Sequence, residues 1–196
     1  MTKDISIEAI LAGYDLPEFS HAEMLKITEI PDRTVQVWFQ RGYLNGLGLS
    51  TPGRGRHRRY ALGHLFFLSY MRRLAFLSIP VAQASWIASA FLPRRQTPRP
   101  DGAVSPQDVS IVLPALEAAQ FSDADQTVYG LVYRQIDGEW RNRVARVEEF
   151  EKWGGLTGWL AVCVLDNAAI VTDLGRMARV VLADAIRTQR QRLRGV

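Results

Sequence analysis

Apolar positions follow helical spacing through much of the first half of the chain and strand spacing through parts of the second. Phe19-Ser20-His21-Ala22-Glu23 carries a helix start, with Ser20 as N-cap, Glu23 closing a capping box and Phe19 placed as a hydrophobic staple. A short helix over about 21–27 follows. Pro31-Asp32 then opens a second helix, capped by Asp32, in which Val35, Trp38 and Phe39 recur at i, i+3, i+4 as one buried face, and Gly42 stops it. Two helices this close, the second rich in Arg and Gln, have the dimensions of a helix-turn-helix. Asn45 to Gly55 holds four glycines and Pro52, which excludes a helix and suits a β-hairpin wing. Helices are expected from about Leu62 to Leu77 and from Pro80 to a point before Pro93, with Trp86 as a core residue.

Three prolines in Pro93-Arg94-Arg95-Gln96-Thr97-Pro98-Arg99-Pro100 cannot continue a helix, so 93–103 reads as an extended linker between modules 1–92 and 104–196. In the second module, Val109 to Gln120 is interrupted by Pro114 and reads as strand, then helix. Thr127 to Arg134 alternates, and Asp137-Gly138 turns the chain before Trp140 to Val147, which predicts a β-hairpin. A short helix over Glu148 to Trp153 is stopped by Gly154-Gly155. Trp159 to Leu165 is an apolar run of strand length. Asp166 or Asn167 is expected to cap a final helix reaching about Arg192, with Ile170, Leu174, Met177, Val181, Leu182 and Ile186 on its apolar side. The fold class expected is α+β: a winged helix-turn-helix followed by a small domain with a few-stranded sheet and a long last helix.

Charge changes this picture. Residues 1–100 hold 13 Lys or Arg against 7 Asp or Glu, whereas residues 101–196 hold 11 against 13. From Arg33 through Pro100 there are eleven arginines and no acid. Such a one-sign run fits a polyanion, and nucleic acid is the commonest in the cytoplasm.

On the second helix, Arg33, Gln36, Val37 and Gln40 share the face opposite Val35 and Trp38, and are the candidate base contacts. Glutamine suits an adenine edge, arginine a guanine edge and Val37 a thymine methyl. Thr34 and Arg41 are assigned to the DNA backbone. So are Arg54, Arg56, His57, Arg58, Arg59 and Tyr60 on the wing, with the minor groove as the alternative, because a glycine-flanked loop favours charge over rigid geometry. Arg72 and Arg73 would reach the flanking backbone, and Arg59 has a competing structural role beside Tyr60.

The motifs resemble the winged-helix DNA-binding domain of MerR-type regulators and the related excisionase-like proteins. Thr34-Val35-Gln36-Val37-Trp38-Phe39-Gln40-Arg41-Gly42-Tyr43-Leu44 sits without gaps on that family's second helix. Arg59-Tyr60 matches its Arg-Tyr after the wing, and Leu65, Leu68, Met71, Arg72, Arg73, Leu77, Ile79 and Val81 fall on the positions of the helices that follow. The resemblance covers about residues 19–92. Val37 and Gln36 stand where the family carries an aromatic and an arginine, and Trp38 leans toward the excisionase-like branch. No heptad-bearing helix follows residue 92, so the coiled-coil dimer arm of MerR regulators is expected to be absent or replaced.

What the resemblance implies is a sequence-specific transcriptional regulator of double-stranded DNA. A homodimer through residues 104–196 is expected, with the last helix as interface, and RNA polymerase or another regulator as a further partner. The alternatives are an excisionase-like DNA-bending factor and an adaptor or enzyme tethered to DNA by the first module. No cofactor and no metal is expected: there is one cysteine, Cys163, and of the three histidines His57 and His64 lack carboxylate or thiolate company. No phosphate loop, nucleophile elbow or histidine after His64 supports catalysis. The start carries Lys3, Asp4 and Glu8 instead of a leader pattern and no stretch reaches membrane-spanning length, so a cytoplasmic protein without membrane contact is expected.

Overall fold

A computed structural model describes residues 18–47, 58–90, 128–134, 140–155, 157–159 and 169–194. The chain divides into two units, residues 1–89 with 181–196, and residues 90–180. The second boundary departs from the expected two-module division, because the last sixteen residues go with the first unit. The predicted linker, the segment 104–127 and Cys163 lie outside the described residues.

The first unit is helical with one short ladder. Strand β1 (Phe19–Ser20) pairs antiparallel with β2 (Arg59–Tyr60), Phe19 opposite Tyr60 and Ser20 opposite Arg59. Helix α1 (His21–Thr28) starts on the expected capping box: the Glu23 backbone N–H reaches the Ser20 hydroxyl, and the Glu23 carboxylate accepts from the Ser20 backbone N–H. Phe19 and Met24, the staple positions, are both buried. Helix α2 (Asp32–Gln40) has Pro31, not Asp32, at its N-cap, with no side-chain cap. The Pro31 carbonyl takes the Thr34 and Val35 N–H groups, which makes Asp32 the first helical residue. At the other end Gly42 lies at φ +74°, with Gly42 N–H donating to the Phe39 carbonyl and Tyr43 N–H to the Trp38 carbonyl. That is a Schellman ending, for which glycine carries no Cβ penalty.

Asn45–Leu47 forms a single 3-10 turn where no helical residue was expected, closed by the Leu47 N–H on the Leu44 carbonyl. Helix α3 (Leu62–Phe76) is the spine of the unit, burying Leu65, Phe66, Leu68, Met71 and Leu74. Helix α4 (Val81–Ala90) buries Ala84, Ile87 and Ala88, which turns Trp86 outward. Trp86 is therefore 54% exposed, not core as expected.

The second unit is built on a three-stranded antiparallel sheet in the order β4-β3-β5. Its strands are β3 (Val128–Arg134), β4 (Trp140–Arg146) and β5 (Ala169–Asp173). The first two are the predicted hairpin. A 3-10 segment, Val147–Trp153, replaces the predicted α-helix and ends at Gly154 and Gly155, both at positive φ. Leu131, Ala145, Phe150 and Trp159 form the core, with Trp159 edge-on to Tyr133 at 5.0 Å and to Phe150 at 5.5 Å. Trp159 itself lies in a helical turn over 157–159, so the predicted strand does not start there, and residues 160–165 lie outside the described residues.

The third strand comes instead from the start of the predicted last helix. Ile170, Val171 and Thr172 are β-branched and suit a strand beside β3. Asp173 then caps helix α5 (Leu174–Leu193), its carboxylate accepting the Arg176 backbone N–H at 2.7 Å. Leu174 and Ala178 are buried in the second unit, and Val181, Leu182 and Ala185 in the first. Part of the apolar side of α5 is thus buried within the chain, while Met177 and Ile186 are half-buried and Val180 is exposed. At a coarse level the α+β class holds.

Candidate nucleic-acid interface

Helix α2 sorts its residues by period. Val35 and Trp38 point inward and are buried, while Arg33, Gln36, Gln40 and Arg41 are exposed and Thr34 and Val37 are half-buried. The four candidate base contacts thus share the side away from the core. One of these positions, Gln36, is pre-set by a local bond. Asp32, in the first turn where an acid favours the helix dipole, accepts from His21 Nε2 at 2.7 Å and from Gln36 Nε2 at 2.9 Å. The Gln36 amide therefore has an internal partner, and Gln40 does not share it.

Phe39 is half-buried because a cation covers it. The Arg58 guanidinium sits 3.7 Å from the centroid of the Phe39 ring. Arg58 thus packs on α2. Arg59 is exposed and donates to the Glu18 carbonyl at 3.0 Å. Tyr60 is fully buried, and its hydroxyl lies 3.0 Å from His21 Nδ1. Burial pushes its pKa up, and burial also removes it from the surface contacts to which it was assigned. Arg54, Arg56 and His57 lie outside the described residues.

Arg72 and Arg73 diverge. The Arg72 guanidinium bonds the Thr28 carbonyl at 3.0 Å and the Glu29 carboxylate at 2.7 Å, tying α3 to the left-handed residue that ends α1. Arg73 is exposed. His64 accepts the Ala61 backbone N–H on Nδ1, and its Nε2 lies 3.2 Å from the Leu47 carbonyl. That ring holds the start of α3 against the 3-10 turn. Among the described residues no group of three His, Cys, Asp or Glu is placed to hold a metal ion. No helix among them is long and apolar enough to cross a membrane.

Two features were missed by sequence reasoning. One is His21, which joins the first residue of α1 to Asp32 of α2 and to Tyr60 of β2. The other lies at the N-terminus of α1, where Arg192 of α5 grips Glu23 with two bonds, Nε to Oε1 at 2.6 Å and Nη2 to Oε2, while lying 5.5 Å from the centroid of the Phe19 ring. Beside it the Gln189 amide donates to the Glu18 carboxylate at 2.6 Å. No local signal exists for either pair, since the partners lie 169 and 171 positions apart.

The Arg192 bonds, with those from Ser20, hold the Glu23 carboxyl down from 4.5 to about 2, and the same pairing pushes Arg192 up. A carboxylate whose folded pKa is depressed adds stability that is complete above its unfolded pKa and is lost as pH falls through the folded one. Acid denaturation should therefore remove a Glu23 contribution between pH 4.5 and about 2, worth about 1 kcal/mol for a partly exposed bidentate pair. Glu23→Gln should lose that part of the pH dependence; an unchanged profile would show that the pair contributes nothing in solution.

No protein-family model matches the chain, and no curated protein matches it.

Proposed function

We propose that the chain is a sequence-specific, double-stranded DNA-binding transcriptional regulator that reads the major groove with α2 as the second helix of a winged helix-turn-helix. The observation that carries this reading is the split of α2 into a buried side, Val35 and Trp38, and an exposed side of Arg33, Gln36 and Gln40. Those side chains match base edges, and the helix holding them is fixed at both ends, by His21 on Asp32 and by the Gly42 ending. The arginine run from Arg33 onward supplies the sequence-independent attraction to phosphate.

A single module of this size makes too few base contacts for specific binding at physiological salt, so two copies are needed. The second copy would join through residues 104–196, with the last helix as the interface.

Selection of bound sites from random duplex DNA with the full chain tests the reading. A palindromic consensus supports a dimeric regulator, direct repeats favour an excisionase-like DNA-bending factor, and no enrichment overturns both. On the selected site, Gln40→Ala should cost about 1–3 kcal/mol and change binding to random duplex little. Equal losses on both duplexes would mean that Gln40 contacts only backbone.

A further inference from the structure

We propose that Arg190, on the segment of α5 that belongs to the first unit, and Arg194, in the turn that follows it, form a second phosphate-contacting edge for duplex DNA on that unit. The inference rests on the reading of that unit as a DNA-binding module, and it adds a contact far from the α2 and wing residues in sequence.

Three observations carry it. First, both side chains are exposed, and the acids around them are engaged elsewhere. Asp184 accepts from Arg187 at 2.9 Å, Glu18 from Gln189, and Glu23 from Arg192. The remaining acids described in the unit are also occupied, Glu29 by Arg72 and Asp32 by His21 and Gln36. Glu18 and Asp32 bond no arginine through their carboxylates and keep their charge, but among the described residues neither is bonded to Arg190 or Arg194. A surface with its acids internally paired and its arginines left outward attracts a polyanion.

Second, the segment is held in place rather than free to swing. Arg192 lies between them, bidentate on Glu23 and over the Phe19 ring, while Val181, Leu182 and Ala185 are buried in the same unit. Side chains displayed from an anchored helix lose less entropy on binding.

Third, the segment meets residues already assigned to DNA. Glu18 accepts from Gln189 through its carboxylate and from Arg59 through its carbonyl, and Arg59 pairs with Ser20 across the β1–β2 ladder. The post-wing strand and the end of α5 thus converge on the start of α1.

The test uses the full chain and the double variant R190Q/R194Q, with the selected site and a random duplex as probes, over a range of salt. Each neutralised phosphate adds about 0.9 to the slope of log affinity against log salt, so the variant's slope should flatten by about 1–2 on both duplexes. Affinity for the two should fall by the same factor, leaving site preference and thermal midpoint unchanged. A variant that keeps the full slope, while the parent chain binds with sequence preference, overturns this inference alone. A parent chain that binds no duplex overturns the DNA-binding reading and this inference with it. Loss of preference at constant slope would make the arginines base readers and also overturns it.

Discussion

A chain ending at residue 180 should lose a large share of the stability of its first unit, although it keeps every residue from Phe19 to Ser89. Val181 and Leu182 are buried there, and burying each contributes about 1.5–3 kcal/mol. Ala185 and Thr188 are buried too, and the truncation also strips Gln189 and Arg192 from Glu18 and Glu23. The sum is at least about 3 kcal/mol, a large share of the 5–15 kcal/mol by which domains are usually stable. Amide exchange at Met24, Val35 and Leu65 reads this unit directly, and should quicken by two or more orders of magnitude on the scale of about 1.4 kcal/mol per tenfold. In the intact chain, Leu182→Ala should move the same amides by the equivalent of about 2–5 kcal/mol. If protection at those three amides survives both changes, the division of the chain into its units is wrong.

Tyr60→Ala should be the costliest single substitution near the interface, at about 3–5 kcal/mol. The ring is wholly buried, faces Phe19 across the β1–β2 ladder and is flanked by His21 and His64, at 5.9 Å and 6.5 Å between ring centroids. Tyr60→Phe separates packing from hydrogen bonding. It keeps the ring and removes only the hydroxyl beside His21 Nδ1, so denaturant unfolding should show a loss of about 0.5–1.5 kcal/mol. The salt slope of duplex binding should not change in Tyr60→Phe, since a buried hydroxyl touches no phosphate. A flattened slope in that variant would return Tyr60 to the phosphate contacts expected of it.

What could be read in advance was local. The box at Ser20 and Glu23 lies within one helical turn, and the inward face of α2 follows from a 3.6-residue period, so both were legible from adjacent residues. The error at residues 166–173 has an equally local cause. Asp166, Asn167 and Asp173 are all competent caps, and the apolar residues between them fit a helix or a strand; pairing with β3 decided it, placing the cap at Asp173. Trp86 was misplaced because its neighbours Ala84, Ile87 and Ala88, smaller or aliphatic, fill the buried side of α4. The grip of Arg192 on Glu23 had no pattern to betray it. An arginine near the end of a basic helix looks the same in sequence whether it is solvated or seated on a carboxylate.

That grip sets a schedule for synthesis. Residues 18–89 leave the ribosome first, yet the unit they belong to is completed only by residues 181–194, made after the whole intervening stretch. At about 5–20 residues per second, those roughly 90 residues impose a wait of about 5–20 s during which the nascent unit lacks its closing helix. The apolar positions that Val181 and Leu182 will cover stay open to chaperones through that interval. A nascent chain arrested before residue 181 would emerge with α2 already translated but the support of its unit missing, so the finished unit would arrive late, together with the last turns of α5.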